Sequence, residues 1–456
     1  IYLHPRNLRP GGTLEFSLSE VIIVALAAAW LLRLAWQAFR QRQAERRFSL
    51  DLNPARAWYL VRRQGPFFLP LALLFVLATV SLLAPLPAHL KEALREYRLV
   101  IVEPLALFLL ALSILGKKGA PAVMRLVDFL VAGGVMVALF GIFQLLFPLR
   151  PASTSELITA SQTGCAIATE GVTRICSVYS HPDNLGLFLG RVIPLAACLP
   201  LFYSQAGWRI WKNPSWRFRL YSLSLVPMLI CLVFSFSRGA WLGVGAAFLG
   251  MFVAVGSRRW LFAYGGLLLV GLAALPFIKV ERITNLFVFG GSSSTRLYVW
   301  QSSVDIIKDH PLAGIGLDQF LYVYNPQYVN PLAWTERFTS HPHNLVLDFW
   351  LRLGILGPLL IGWLLFIFFK TALTRHWRKP VISAKPDSQF ILRRALALGL
   401  FGSMLDFLVH GLVDNSFFVV DLSIIFCLSF AMLEILRREV TKPVSTAEDR
   451  SKENAA

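Results

Sequence analysis

The chain has no CxxC pair, no HExxH, no phosphate loop of the G-x-x-x-x-G-K-S/T type and no G-x-G-x-x-G leading into a soluble βαβ unit. Nucleotide hydrolysis and a dedicated zinc site therefore have no basis in it, and no cofactor is expected. Charge is scarce as well. Only 15% of the 456 residues are charged, against 56% hydrophobic, and the mean hydropathy is +0.60. The apolar residues come in long blocks, which excludes a soluble globular domain and indicates a polytopic membrane protein. Cysteine is sparse too, at five residues. Cys198, Cys231 and Cys427 lie in apolar blocks, where packing accounts for them. Cys165 and Cys176 share one polar loop, where an oxidising compartment allows a disulfide.

The apolar blocks fall at 18–39, 67–86, 99–116, 124–147, 184–203, 218–236, 239–256, 259–279, 345–371, 391–413 and 416–436. Each is near the ~20 residues that helical rise requires for a bilayer crossing. Ser235, Ser237 and Arg238 form a polar break that separates the sixth block from the seventh. The expected fold is an all-α polytopic bundle of about 11–12 transmembrane helices with a large helical outer loop domain. Its divisions are a transmembrane bundle over 1–279 with an outer loop at 149–183, a loop domain at 280–344, further spans at 345–436, and a disordered cytoplasmic tail at 437–456.

Basic residues orient the bundle. With the loop after residue 279 outside, 28 Lys and Arg fall in inner segments and 13 in outer ones, while Arg33, Arg191 and Arg352 lie within spans. The positive-inside rule selects this orientation over its inverse. The net charge of +18 thus reports topology. A nucleic-acid partner is not expected, because the basic residues are divided among short loops. An odd number of spans puts the N-terminus outside, yet the chain begins at Ile1 with no initiator Met, so an upstream segment with a twelfth helix is expected. Residues 1–16 show no cleavable signal pattern.

Two outer loops are long enough to build a site, 149–183 and 280–344. In the larger, Thr295 to Lys308 reads as a helix, with Thr295 as its cap and Leu297, Trp300, Val304 and Ile307 forming an apolar stripe. Arginines recur on this side: Arg174 in the smaller loop, Arg191 about two turns inside the fifth span, Arg238 in a tight turn and Arg296 at the helix start. An intramembrane arginine is costly, so Arg191 faces an anion or pairs with an acid such as Glu170 or Asp183. Guanidinium groups with few carboxylates nearby suit a lipid-linked diphosphate, whose oxygens match their planar forks.

His343 lies where the larger polar loop meets the apolar block from Leu345. An imidazole there can take up a proton near neutral pH without a cofactor. The plainer alternative is a helix-start histidine satisfied by backbone. His341, two residues earlier, invites a His-x-His metal reading, but Asp348 is the nearest carboxylate in sequence and no third and fourth ligands stand at a persuasive spacing, so no metal is expected. His341 and Asn344 are read as orienting the loop or touching the acceptor. Trp334, Tyr322, Tyr324 and Tyr328 stack on sugars or, as is common at membrane boundaries, anchor the loop.

Four motifs then stand in order: Ser180-His181-Pro182-Asp183-Asn184; Ser237-Arg238-Gly239-Ala240-Trp241-Leu242-Gly243; Arg296 with Trp300, leading to His310-Pro311-Leu312-Ala313-Gly314-Ile315-Gly316 and Phe320; and His341-Pro342-His343-Asn344 with Leu353-Gly354-Ile355-Leu356-Gly357. From about Val178 to Gly357 the chain resembles the O-antigen ligase and polymerase superfamily. Asp183 departs from that family's usual pattern at the first motif. The resemblance implies metal-independent, inverting glycosyl transfer at the outer face of the bacterial cytoplasmic membrane. The donor would be an undecaprenyl diphosphate-linked glycan and the acceptor a hydroxyl of a glycan or glycolipid. By position His343 matches the catalytic base, and Arg238 and Arg296 match diphosphate-binding arginines; Arg191 and Arg174 are less secure matches. A ligase acting on lipid A core is favoured over a polysaccharide polymerase or a protein O-oligosaccharyltransferase. From a different class, a transporter or flippase for lipid-linked glycans predicts inverted repeats, and none is evident. The oligomeric state is not legible.

Overall fold

The computed structural model describes residues 65–147, 166–169, 172–204, 216–256, 258–274, 292–374 and 388–441. The span expected at 18–39 lies outside them; of the disordered tail expected at 437–456, residues 437–441 continue the last helix instead and 442–456 lie outside. Among the described residues the chain is helical apart from one two-stranded hairpin, as expected for an all-α membrane protein. In order come α1 (Phe68–Ser81), α2 (Leu90–Glu96), α3 (Glu103–Leu115) and α4 (Ala120–Leu146). The hairpin β1 (Ala166–Thr169) and β2 (Val172–Ile175) follows, then α5 (Pro182–Ser204), α6 (Trp216–Phe234), α7 (Arg238–Val255) and α8 (Arg258–Ala274). The chain continues through α9 (Ser292–Asp309), α10 (Phe320–Gln327), α11 (Leu345–Leu353), α12 (Leu356–Ala372), α13 (Ser388–Gly411) and α14 (Val420–Thr441).

Among the described residues, five helical segments are long and apolar enough to cross a membrane: Pro87–Leu115, which runs through α2 and α3, and α4, α5, α6 and α7. Of the α5 span, 89% is buried inside the protein, whereas the other four lie between 28% and 44%. The first is thus the central helix and the others expose apolar faces outward, as lipid permits. Helices α7, α13 and α6 pack on α5, and α14 packs on α3. The polar break at Ser235 to Arg238 does divide two helices, α6 and α7.

The block expected as one span at 345–371 is broken into two helices, because Gly354 stops α11 in a left-handed backbone conformation at φ +70° and α12 starts at Leu356. A Cβ at Gly354 would collide with the Leu312 carbonyl oxygen, so the sequence has glycine there for close approach as well as for φ. Hydropathy alone runs through this break because Ile355 and Leu356 are as apolar as the residues before them.

The long segment between α8 and α11 has its own small core of Val299, Ile306, Ile307, Ile315, Phe320, Tyr324 and Ala333. The helix expected over 295–308 forms as α9 but starts at Ser292, so Thr295 lies within its first turn and is not its cap. Leu351 of α11 joins this core, so α11 belongs as much to the loop domain as to the bundle. The motif from His310 to Gly316 clamps it there: the Ile315 amide donates to the Leu351 carbonyl at 2.7 Å, and the Trp350 indole donates to the Pro311 carbonyl at 2.9 Å. Of the aromatics, Tyr324 is fully buried and stacked on Phe320. Tyr322 lies against His89, and the Tyr328 hydroxyl donates to Asp309, whereas Trp334 stays exposed.

Candidate active site

At one end of the bundle the N-termini of α5, α7, α11 and α14 gather with the C-terminus of α13. His343 stands immediately before α11. Asn344, in extended conformation, caps that helix: its side-chain oxygen accepts from the Val346 and Leu347 amides at 3.0 and 3.1 Å. Its amide nitrogen donates to the Leu412 carbonyl at 2.9 Å, which ties the cap to the turn after α13. His343 itself has φ +55°, a left-handed conformation that costs a non-glycine residue ~1–2 kcal/mol. Such strain persists where the surroundings fix it, and here the cap and the turn do so.

The turn supplies Asp414, a buried carboxylate that the sequence reading passed over. Its Oδ1 lies 3.1 Å from His343 Nδ1 and 3.6 Å from His341 Nε2. Its Oδ2 lies 3.4 Å from Arg296. Burial works against the charged carboxylate, but Arg296 and the two histidines outweigh it and hold Asp414 well below the usual carboxylate range. An ionised carboxylate only accepts, so in this contact the proton is on His343 Nδ1, and Nε2 is the ring nitrogen turned away from Asp414. Thr339 Oγ1 is 3.3 Å from that Nε2. The same hydroxyl is also 3.0 Å from the His341 carbonyl, which can accept its proton.

Arg296, the fifth residue of α9, bridges Asp414 and Asp183, the latter at 3.1 Å, and also donates to the Val413 carbonyl. Burial disfavours its charge, yet Asp414 and Asp183 raise its pKa above the ordinary value. Its side chain keeps 24% of its surface exposed. The hairpin register puts Arg174 opposite Ile167. From there its guanidinium reaches Asp183 at 2.6 Å and the Ser235 carbonyl at 2.9 Å, with only 4% of the side chain exposed. Asp183, the family departure, is therefore the carboxylate that joins Arg174 to Arg296.

Arg238 opens α7 just after Phe236, another left-handed residue at φ +48°. Gly239 beside it lies flush against α13: a Cβ there would stand 2.7 Å from His410 Nε2 and 3.0 Å from Val413 Cγ2. Arg238 is thereby brought next to the turn that carries Asp414. Arg191 is placed differently. It is 2% exposed, pairs with Asp406 at 3.6 Å, lies over the Phe407 ring and donates to the Ser416 carbonyl at 2.9 Å. Of the acids that the sequence suggested, Asp183 pairs with Arg174 and Arg296 instead, and Glu170 lies outside the described residues; Arg191 sits behind the Asp414 turn.

His341, His343 and Asp414 offer three ligand atoms within 4.8 Å of one another, a grouping that could hold a cation. The third member is Asp414, and Asp348, the acid near in sequence, is engaged by Arg352. Cys176 is disulfide-bonded, and Cys165 lies outside the described residues. Asp414 did leave a trace in the sequence: it is a carboxylate in a two-residue gap between apolar blocks, the same kind of interruption that drew notice to Arg238.

Residues 223–364 match the family model described as O-antigen ligase. This stretch includes Arg238, Arg296, His341 and His343. The resemblance to the O-antigen ligase superfamily holds. A curated protein, the O-antigen ligase of Salmonella typhimurium, is 27% identical over 164 residues, which cover 31% of this chain and 39% of that protein. The chain thus matches well under half the length of that relative. The superfamily's motifs are the parts that build the site here, since the His310 to Gly316 segment holds α11 and α11 begins at the cap beside His343.

Proposed function

We propose that this multi-pass membrane protein is a glycosyltransferase that moves a glycan from undecaprenyl diphosphate to an acceptor hydroxyl, as an O-antigen ligase acting on lipid A core. The reaction would take place at the outer face of the bacterial cytoplasmic membrane, without a metal and with inversion. One observation carries this reading: His343 Nδ1 lies 3.1 Å from the buried Asp414 carboxylate, which leaves Nε2 as the ring nitrogen turned toward an acceptor. A sugar hydroxyl is a weak nucleophile, and a base within hydrogen-bond reach takes its proton as the bond to the anomeric carbon forms. Asp414 stabilises the imidazolium that results. The bond from the anomeric carbon to the diphosphate oxygen breaks as the new bond forms on the opposite face, and the diphosphate leaves as an anion that needs no proton.

Arg296 and Arg238 receive that anion. The N-termini of α5 and α7 at the same end add favourable backbone dipoles. An incoming diphosphate competes with Asp183 and Asp414 for Arg296, so the donor meets a guanidinium already held in place. Arg174 acts through Asp183, and Arg191 supports the Asp414 turn; both are positioning residues in this scheme. His341 and Asn344 hold the loop that carries His343. The test is His343→Ala in a reconstituted assay with a lipid-linked glycan donor. Transfer should be lost while donor binding stays, and retained turnover would sink the mechanism.

A further inference from the structure

His343 Nε2 points to one side of the loop, and that side is defined by Thr339 at 3.3 Å. An acceptor whose hydroxyl reaches Nε2 passes beside Thr339, and the segment that leads into Thr339 adjoins that approach. This segment, Pro331 to Phe338, is an unusual surface. Trp334 is 59% exposed and Phe338 67% exposed, although both belong to a well-braced turn. The Arg337 guanidinium lies 4.9 Å from the Trp334 ring centroid and 4.5 Å from that of Phe338.

The bracing comes from below. Asn330 accepts from the Leu332 amide at 2.9 Å, and Asn325 donates to the Arg337 carbonyl at 2.9 Å. Arg337 donates to the Trp334 carbonyl at 2.9 Å, while Ala333 is fully buried in the loop core. Two aromatic faces and a cation are thus presented outward by a backbone that is already fixed. Rigid aromatic side chains lose little entropy on binding. The C–H face of a pyranose stacks on such rings, and a cation beside them suits a sugar that bears phosphate or carboxylate.

We propose that residues 331–338 form the acceptor platform, with a sugar ring on Trp334 and Phe338 and Arg337 meeting an acidic substituent of the acceptor. This rests on His343 being the base, because the position of Nε2 sets where the acceptor lies. The platform selects an anionic oligosaccharide over a neutral one of the same size. Cation–π contact keeps the guanidinium over the rings in the free protein and leaves its outer edge available to an anion.

The experiment uses the full chain in detergent and, separately, in liposomes. The acceptor probe is deacylated lipopolysaccharide core oligosaccharide, with and without its phosphates. Trp334→Ala and Phe338→Ala should each raise the half-saturating acceptor concentration roughly 3- to 10-fold, the worth of an aromatic contact, with turnover and donor saturation unchanged. Trp334→Tyr should recover most of the loss. Arg337→Gln should abolish the preference for the phosphorylated probe. Acceptor saturation unaltered in all three, with His343→Ala inactive, would overturn the platform and leave the base in place. Effects confined to liposomes would make the segment a bilayer anchor and also overturn it. An active His343→Ala would instead remove the mechanism underneath both.

Discussion

Asp414→Asn is the sharpest perturbation of the site. The substitution keeps the shape of the side chain and one acceptor oxygen, so the His343 Nδ1 contact at 3.1 Å can persist. What it removes is the negative charge opposite the imidazolium. A hydrogen bond to a charged group contributes about 1.5–3 kcal/mol, against about 0.5–1.5 for a neutral one. The loss of stabilisation at the transition state is then about 1–2 kcal/mol, or roughly 5- to 30-fold in rate at 1.36 kcal/mol per decade. Arg296 also loses one of two carboxylate partners, but Asp183 still holds it at 3.1 Å. Donor saturation should therefore change less than turnover. The assay is product formation by purified protein with a lipid-linked glycan, with thermal denaturation to confirm folding. Turnover equal to the parent, in a protein that still depends on His343, would refute the assignment of Asp414 to the base.

Arg296→Ala should lower donor use by about 10²–10³, typical for removal of one electrostatic group, and Arg296→Lys should not restore it, since an ammonium cannot span Asp183, Asp414 and a diphosphate as a planar fork does; unchanged kinetics would take Arg296 out of the site. Burial, and then the nearby His343 charge, pushes His341 below its ordinary pKa. The unfolded chain takes up that proton near ~6.5 and the folded one resists it, so this group's stabilisation is lost as pH falls below that value. His341→Gln should flatten the fall in melting temperature between neutral pH and about 5.5, and an equal slope in both proteins would contradict this. Chelation should leave transfer unchanged, because Nε2 is proposed to act on the acceptor and not on a cation; loss on chelation with rescue by a divalent ion would show that His341, His343 and Asp414 hold metal.

The bundle was largely legible because lipid imposes a one-dimensional rule. Apolar length is a local property, and among the described residues it located most helices of the bundle, except where Gly354 breaks an apolar run and where the helical segment Pro87–Leu115 begins well before the span expected at 99–116. The helix over 295–308 was likewise visible from its stripe. The arginines were found as candidates because charge beside an apolar block is rare. Their partners were not. Arg191 reads the same whether it meets an anion or Asp406, and the acid that faces it is on another helix, far along the chain.

The sequence by itself determined that this protein is a helical membrane bundle, that one long polar loop ends at His343, and that its motifs resemble the O-antigen ligase superfamily. The tertiary structure decided which groups His343 works with. Asp414 is 71 residues away in the chain and 3.1 Å away in space, and Arg296 is tied to both Asp414 and Asp183. Periodicity and hydropathy are carried by neighbouring residues, whereas ion pairing acts through space between helix ends that only the packed bundle brings together.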